Sequence, residues 1–339
     1  LQVTMQRSFN VAIVGATGAV GRLLLQLLVE RDFPVNHLYL LASSRSAGQR
    51  IAFKEDTLAV TQLAQFDFKG CDLCFFSAGA AVSLEYASKA VLAGCYVIDN
   101  TSAFRREENV PLVIPEVNGE VLAVLTSPCI IANPNCSTIQ LLVALNSLYR
   151  EVGIKRLIVS TYQAVSGAGQ KAVDKLLGEQ KALLEGGNSH DAQQANNVIP
   201  LIDVMQDNGY TREEMKIRWE TQKIWQDGAI KVDATAVRVP VINGHAEAVT
   251  IETMALIAPE RAKALLEAAE GVCVVDDSDA TPVGVSGQDQ VFVARIRASQ
   301  VFDNGLNLWV LGDNLRKGAA TNSIHIAERL FELPRSVIN

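Results

Sequence analysis

The stretch Phe9–Val14, FNVAIV, runs straight into Gly15-Ala-Thr-Gly18-Ala-Val-Gly21, and an amphipathic run follows from Gly18 to about Arg31. A strand that meets three spaced glycines and then a helix has few folds open to it. The glycines permit a tight turn, a close approach of backbone to a pyrophosphate and close helix packing, while the helix N-terminus offers unpaired N–H groups to an anion. The pattern predicts the first βα unit of a dinucleotide-binding domain, with Gly15, Thr17, Gly18, Ala19, Val20 and Gly21 against the cofactor. A plain tight turn is the bland alternative. Strand patterns at 37–42, 73–77 and 96–99, with a helix around 84–93, continue the alternation and indicate a parallel sheet wrapped by helices. From Lys155 the character changes: β-rich runs at 156–163, 234–241, 246–257 and 291–296 suggest a second, mixed α+β domain with a large sheet.

The second strand ends LLASSRSAG and carries no Asp or Glu to grip a ribose 2′-hydroxyl. Ser43, Ser44 and Arg45 offer hydroxyls and a cation instead, which suit a 2′-phosphate and predict NADP over NAD. A surface arginine with no ligand is the competing reading.

Residues 132–140, ANPNCSTIQ, set a cysteine between a stiff turn and a helical run (Ile139, Leu142, Val143, Leu145). Cys136 then sits at a helix N-terminus, where unpaired N–H groups and the helix dipole favour a thiolate. Read alone, a cysteine there is more often a small buried hydrophobe. A thiolate beside a nicotinamide points to thioester chemistry at an aldehyde or acyl group, and that chemistry needs an acid or base. Of four histidines only His245, in RVPVINGHAEAV, follows a strand and a Gly-containing turn. TYQAVSGAG (161–169) and WETQKI (219–224) add polar groups; Glu220 and Lys223, three apart on a helical run, share a face and read alone as a surface ion pair. Arg105 alone reads as a solvated loop charge. In TAVRVPV the residues Thr235, Val237, Val239 and Val241 share one strand face, so Arg238 points to the other.

With 339 residues and a net charge of −7, the chain suits two globular domains and argues against a general nucleic-acid or anionic-membrane binder. No apolar run approaches a membrane span, Met5 stands where a natural start is expected, and the expected compartment is the cytoplasm, with six free thiols. Cys71-Asp-Leu-Cys74 has metal or redox spacing, but no second ligand pair follows it and no metal is expected.

GATGAVG, LASSRSAG, NTSAFR, NPNCST, TYQAVSGAG, WETQKI, RVPVINGHAEAV and DNLRKGAA, in this order from about residue 9 to 330, resemble the bacterial aspartate-β-semialdehyde dehydrogenases. The resemblance implies a Rossmann-type doubly wound parallel sheet domain at 5–134, completed by a C-terminal helix at about 313–339, and a mixed α+β catalytic and dimerisation domain with a large sheet at 135–312. It implies NADPH-dependent reductive dephosphorylation of L-4-aspartyl phosphate to the semialdehyde, on the route to lysine, threonine and methionine, by a homodimer. Cys136 would carry the acyl group, His245 would be the acid/base and Gln163 would orient the intermediate. Asn135 is implied as their neighbour, Arg238 for the substrate carboxylate, Glu220 for its ammonium, and Arg105 and Lys223 for phosphate. Ser77, Ser166, Gly167 and Asn314 are implied near the cofactor. Two departures stand out: SAGAAVS (77–83) lacks a second glycine, and Gln194 and Asn196 replace apolar or aromatic residues in a short loop, 185–197, that reads as mobile surface. The nearest rival is N-acetyl-γ-glutamyl-phosphate reductase, whose acylated amine would leave Glu220 no cation; a non-catalytic paralogue is the other.

Overall fold

β1 (Phe9–Val14) lies mid-sheet because both of its faces are apolar and buried. The computed structural model describes residues 7–188 and 191–333. It divides into two compact units, one holding the chain up to Pro134 and again from Ala319, the other Asn135–Gly318.

In the first unit β1 is followed by α1 (Ala19–Glu30), β2 (Val35–Ala42), β3 (Arg50–Phe53), β4 (Asp56–Gln62), β5 (Leu73–Phe76), α2 (Ala80–Leu92), β6 (Tyr96–Asp99), α3 (Pro115–Asn118) and β7 (Ile130–Ala132). The seven strands run in the order β3-β4-β2-β1-β5-β6-β7. All pairs are parallel except β3 with β4. That edge hairpin is absent from the sequence reading, because its strands are short and bury only Ile51 and Val60. α2 begins four residues earlier than expected: Gly79, at φ 97°, turns the chain so that Ala80 opens the helix. The missing second glycine therefore falls at a helical position that alanine fits.

The second unit holds α4 (Cys136–Val152), β8 (Ile154–Gln163), α5 (Gln170–Leu184), α6 (Arg212–Ile224), β9 (Lys231–Arg238), β10 (His245–Thr253), α7 (Pro259–Glu267), β11 (Val272–Val274), α8 (Pro282–Val285), β12 (Val291–Ala298) and β13 (Gly305–Gly312). Its six strands are ordered β11-β12-β13-β10-β8-β9, with β8/β9 and β11/β12 parallel and the rest antiparallel. Two expected strands end earlier in the chain than their patterns suggest, and the first also starts earlier, at Lys231. β9 stops at Arg238 because Pro240 has no N–H to carry the ladder beyond the bond from Val239 N–H to the Gln163 carbonyl, so Val239 and Val241 lie past the strand; Arg238 still lies opposite Thr235 and Val237. β10 stops at Thr253 rather than 257.

α9 (Thr321–Leu330) returns to the first unit. It is shorter than the helix expected at 313–339, whose last residues, 334–339, lie outside those described. Its Ile324 and Ala327 pack with Leu24, Leu27 and Leu28 of α1 against Val11 and Ile13, whereas Ala12 and Val14 meet Ala87 and Ala90 of α2 on the other face. The sheet is wound on both sides, as the alternating pattern requires. Arg31, which caps α1, and Glu328 of α9 form a buried two-pronged ion pair, Nε–Oε1 2.7 Å and Nη2–Oε2 2.9 Å.

The 185–197 loop is described except at 189 and 190. Gln194 and Ala195 donate backbone N–H groups to Glu179, and Asn196 takes φ 57°, a left-handed position that asparagine tolerates better than an apolar side chain. Among the described residues no helix is long and apolar enough to cross a membrane.

Candidate active site

Cys136 is the first residue of α4, as the turn and the apolar spacing predict. Asn135 caps that helix: its Oδ1 accepts from the N–H groups of Ser137 (3.0 Å) and Thr138 (3.3 Å). The same side chain donates through Nδ2 to Glu213, and its backbone N–H donates to Glu220 Oε2 at 2.6 Å. The thiol thus stands at a dipole end whose cap is itself clamped by two buried carboxylates of α6. Cys136 is only half-buried, and Gly318 passes so close that a Cβ there would lie 2.8 Å from the Cβ of Cys136.

Three further candidates, Gln163, Arg238 and His245, gather at one end of the second sheet. Gln163 ends β8 and pairs in register with Arg238, which ends β9, while Tyr162 pairs with Ala246, which puts His245 on the far side of Gln163. All three side chains point to the sheet face that the helices cover. Gln163 Nε2 donates to Ser137 Oγ (3.1 Å), Thr161 Oγ1 (3.2 Å) and Glu213 Oε1 (3.2 Å), which ties it to the residue after the cysteine. The Ala164 peptide holds the other two: its N–H donates to His245 Nδ1 at 3.1 Å, and its carbonyl accepts from Arg238 Nη1 at 2.6 Å. At Gly167 a Cβ would stand 3.2 Å from both Arg238 Nη1 and His245 Nε2, so the glycine leaves that space open.

These bonds fix the chemistry of His245. A backbone N–H can only donate, so Nδ1 accepts and the neutral ring carries its proton on Nε2. Burial, then the Arg238 charge, depress His245 to about 3, with Glu213 offsetting part of the shift. At neutral pH the ring is an uncharged donor, and Nε2 has no hydrogen-bond partner among the described residues. Burial also lowers Arg238, while the charges of Cys136 and Glu213 work the other way. Glu213 is fully buried; the cost of burial is outweighed by Lys216 and by hydrogen bonds from Asn135 and Gln163, and its carboxyl stays below its ordinary value.

Family models for the semialdehyde dehydrogenase NAD-binding domain and dimerisation domain match residues 10–125 and 145–317. The aspartate-semialdehyde dehydrogenase of Legionella pneumophila is 53% identical over 96% of both chains. The chain belongs to the aspartate-semialdehyde dehydrogenase family. Among solved structures of that family, enzyme II of Vibrio cholerae complexed with ASA is 50% identical, covering 96% of this chain and 99% of its own, with a TM-score of 0.93. The Candida albicans enzyme with NADP is 28% identical over 96% and 99% of the two chains, with a TM-score of 0.75.

Against that family the remaining candidates fall as follows. Glu220 is 3% exposed and accepts from the Asn135 N–H, so it is not the surface charge that its spacing with Lys223 suggested. Arg105 is equally far from a solvated loop charge: it is buried in the first unit, donating to the carbonyls of Asn133 (2.9 Å) and Asn100 (3.0 Å). Ser166 Oγ accepts from Asn314 Nδ2 at 2.9 Å, and Asn314 Oδ1 accepts from Gly244 N–H at 2.9 Å, so this pair braces the turn ahead of His245. Ser77, at the end of β5, hydrogen-bonds the Val14 carbonyl at 3.2 Å, where the strand order turns from β1 to β5. Beside it a Cβ on Gly15, whose φ is 92°, would stand 2.9 Å from Ser77 Oγ, and one on Gly21 would stand 2.2 Å from the Gly15 carbonyl oxygen. α1 opens at Gly18 with no side-chain cap, which leaves its first N–H groups for an anion. These residues fit a dinucleotide pyrophosphate. Ser43, Ser44 and Arg45 follow β2 and are exposed.

Two residues escape the sequence reading. Glu213 bonds Asn135 and Gln163 together, and Gly318 makes room for the nucleophile. For Glu213 a signal exists: in TREEMKIRWE the box Thr211/Glu214 sets the start of α6, which puts Glu213 on the same buried face as Glu220.

Proposed function

We propose that the protein reduces L-4-aspartyl phosphate to L-aspartate 4-semialdehyde with NADPH, releasing phosphate, through a thioester on Cys136. The observation that carries this reading is the cluster of Gln163, Arg238 and His245 at one sheet end with the capped cysteine helix bonded to it. A bound nicotinamide supplies the hydride. The helix N-terminus and Arg238 favour the thiolate of Cys136, which attacks the acyl carbon as the bond to phosphate oxygen breaks. Once the thioester is reduced, negative charge sits on the former carbonyl oxygen. The Nε2–H of His245 donates to that oxygen, and collapse of the adduct returns the electron pair to sulfur and releases the aldehyde. His245 on this account is a donor, and the base half of its expected role is not required.

Arg238 suits the substrate carboxylate, since its guanidinium is fixed by Ala164 and opens onto the space over Gly167. Glu220 takes the ammonium, and Arg105 and Lys223 take the phosphate. The Vibrio cholerae enzyme complexed with ASA supports the substrate, and the Candida albicans enzyme with NADP supports the cofactor, which Arg45 with Ser43 and Ser44 would grip at the 2′-phosphate. A homodimer is supported by the dimerisation-domain match and by exposed apolar residues, Ile158 and Tyr162, on the sheet face opposite the site. The working compartment is the cytoplasm.

The test is NADP reduction by aspartate semialdehyde with phosphate, set beside the N-acetylglutamate semialdehyde. Turnover of the first alone is expected; preference for the second reassigns Glu220 and the reaction.

A further inference from the structure

Cys71 and Cys74 frame the start of β5, and the sequence places no ligand near them. The fold does: Cys95, one residue before β6, pairs beside them, and the three sulfur atoms lie within 4.8 Å of one another. All three are buried, with Phe68, Phe76, Ala87 and Ala90 in the surrounding apolar cluster. Cys95 donates a weak hydrogen bond to the Phe68 carbonyl at 3.3 Å. The carboxylates of Asp72 and Asp67 act on Cys71 and oppose a negative charge there.

That setting selects among ions that like sulfur. Three thiolates around a monovalent cation leave two negative charges, and around zinc they leave one and an unfilled fourth position. Uncompensated charge in an apolar pocket beside two carboxylates is strongly disfavoured. A trivalent centre leaves none. We propose that Cys71, Cys74 and Cys95 form a binding site for trivalent arsenic, taken up as neutral arsenous acid. Each of the three As–OH bonds is replaced by an As–S bond, and each thiol proton leaves with a hydroxide as water. Arsenic stays trivalent, so no oxidant is needed, and the product is uncharged.

Access comes from two exposed glycine turns, Lys69-Gly70 directly before Cys71 and Ala93-Gly94 directly before Cys95. Both glycines have positive φ and nothing within 4 Å of a Cβ position, so these two turns are open places in the surface beside the sulfur atoms where local opening can start. The site lies at the N-terminal ends of β5 and β6, whereas Gly15 and Ser77 lie at the C-terminal ends of their strands. Binding is therefore separable from dinucleotide binding.

Reduced full-length protein is incubated with arsenous acid and weighed by native mass spectrometry. One arsenic per chain with three hydrogens lost is expected, and X-ray absorption at the arsenic edge should show three sulfur neighbours and no oxygen. Cys136→Ser should keep the adduct. Cys95→Ala should weaken it by at least about 100-fold, the gain that a linked further contact supplies through effective concentration. If that variant does not fold, a rise in the wild-type melting temperature with arsenous acid, together with the three-sulfur spectrum, carries the test. No adduct in excess arsenous acid, one or two sulfur neighbours, an adduct that Cys95→Ala leaves intact, or zinc bound in its place each overturns the proposal.

Discussion

The Oε1 oxygen of Glu213 lies 2.8 Å from Nδ2 of Asn135, the residue that caps the nucleophile's helix. The same oxygen accepts from Gln163 Nε2, so one buried carboxylate sets the orientation of two amides that flank Cys136. Lys216 balances its charge at 3.0 Å. Glu213→Gln keeps the shape but offers an NH₂ group that can turn towards the two donors. Hydrogen bonds to a charged group contribute about 1.5–3 kcal/mol, so kcat/KM for the semialdehyde should fall roughly 10- to 100-fold. Cofactor affinity, followed by nicotinamide fluorescence, should not move; a loss confined to that affinity would contradict the assignment.

Cys136 is half-buried at a helix N-terminus, whereas Cys71, Cys74 and Cys95 are buried. Iodoacetate at neutral pH should label Cys136 first, and Cys136→Ser should fold, bind NADPH and turn over almost nothing, because a hydroxyl is a much poorer nucleophile. Peptide mapping after brief labelling is the check. Labelling of Cys129 or Cys273 ahead of Cys136, with activity kept, would show the thiol to be a packing residue.

Arg45 is exposed after β2, where no carboxylate is available to a ribose 2′-hydroxyl. Arg45→Asp should shift preference from NADP towards NAD by roughly 1.5–3 kcal/mol, the strength of a charge-assisted contact. The ratio of kcat/KM for the two cofactors measures it. An unchanged ratio sends the 2′-phosphate contact elsewhere.

His245 is held neutral, at about 3 against an ordinary 6.5. Below pH 6.5 the unfolded chain takes up a proton there that the folded chain refuses until about pH 3, so this contribution is full above 6.5 and is lost as pH falls through that window. The loss is on the order of 3–5 kcal/mol over the whole window. His245→Asn should flatten the dependence of unfolding free energy on pH between 6.5 and 4, as read by urea melts. In the wild type, no limb of the pH–rate profile should arise from His245 near 6.5. A steep His245-dependent limb there would mean that the ring is charged in the resting enzyme.

Glu328 and Arg31 pair across α9 and α1 with side chains 3% and 4% exposed. Removing one partner leaves the other charge buried, a change worth about 3–5 kcal/mol. Glu328→Ala should lower the denaturant midpoint accordingly, while Glu328→Ala with Arg31→Met should recover most of the loss. Equal destabilisation in the single and double variants would place the effect in packing rather than charge.

The local pieces of this protein are written in its sequence. The glycine turn, the parallel alternation, the cysteine at a helix start and the absent acid after β2 each follow from short-range rules: φ freedom, side-chain period, capping and charge. What tertiary structure decided are the environments, because burial depends on residues far away in the chain. Glu220 and Arg105 look like surface charges until α6 and the loop after β6 are packed. His245 has no fixed tautomer until the N–H of Ala164, 81 residues earlier, donates to it. Glu213 carries no signal beyond its helical face until Asn135 and Gln163, 78 and 50 residues away, converge on one oxygen. Cys95 joins Cys71 and Cys74 only because β5 and β6 pair in parallel, a long-range register that no local period encodes.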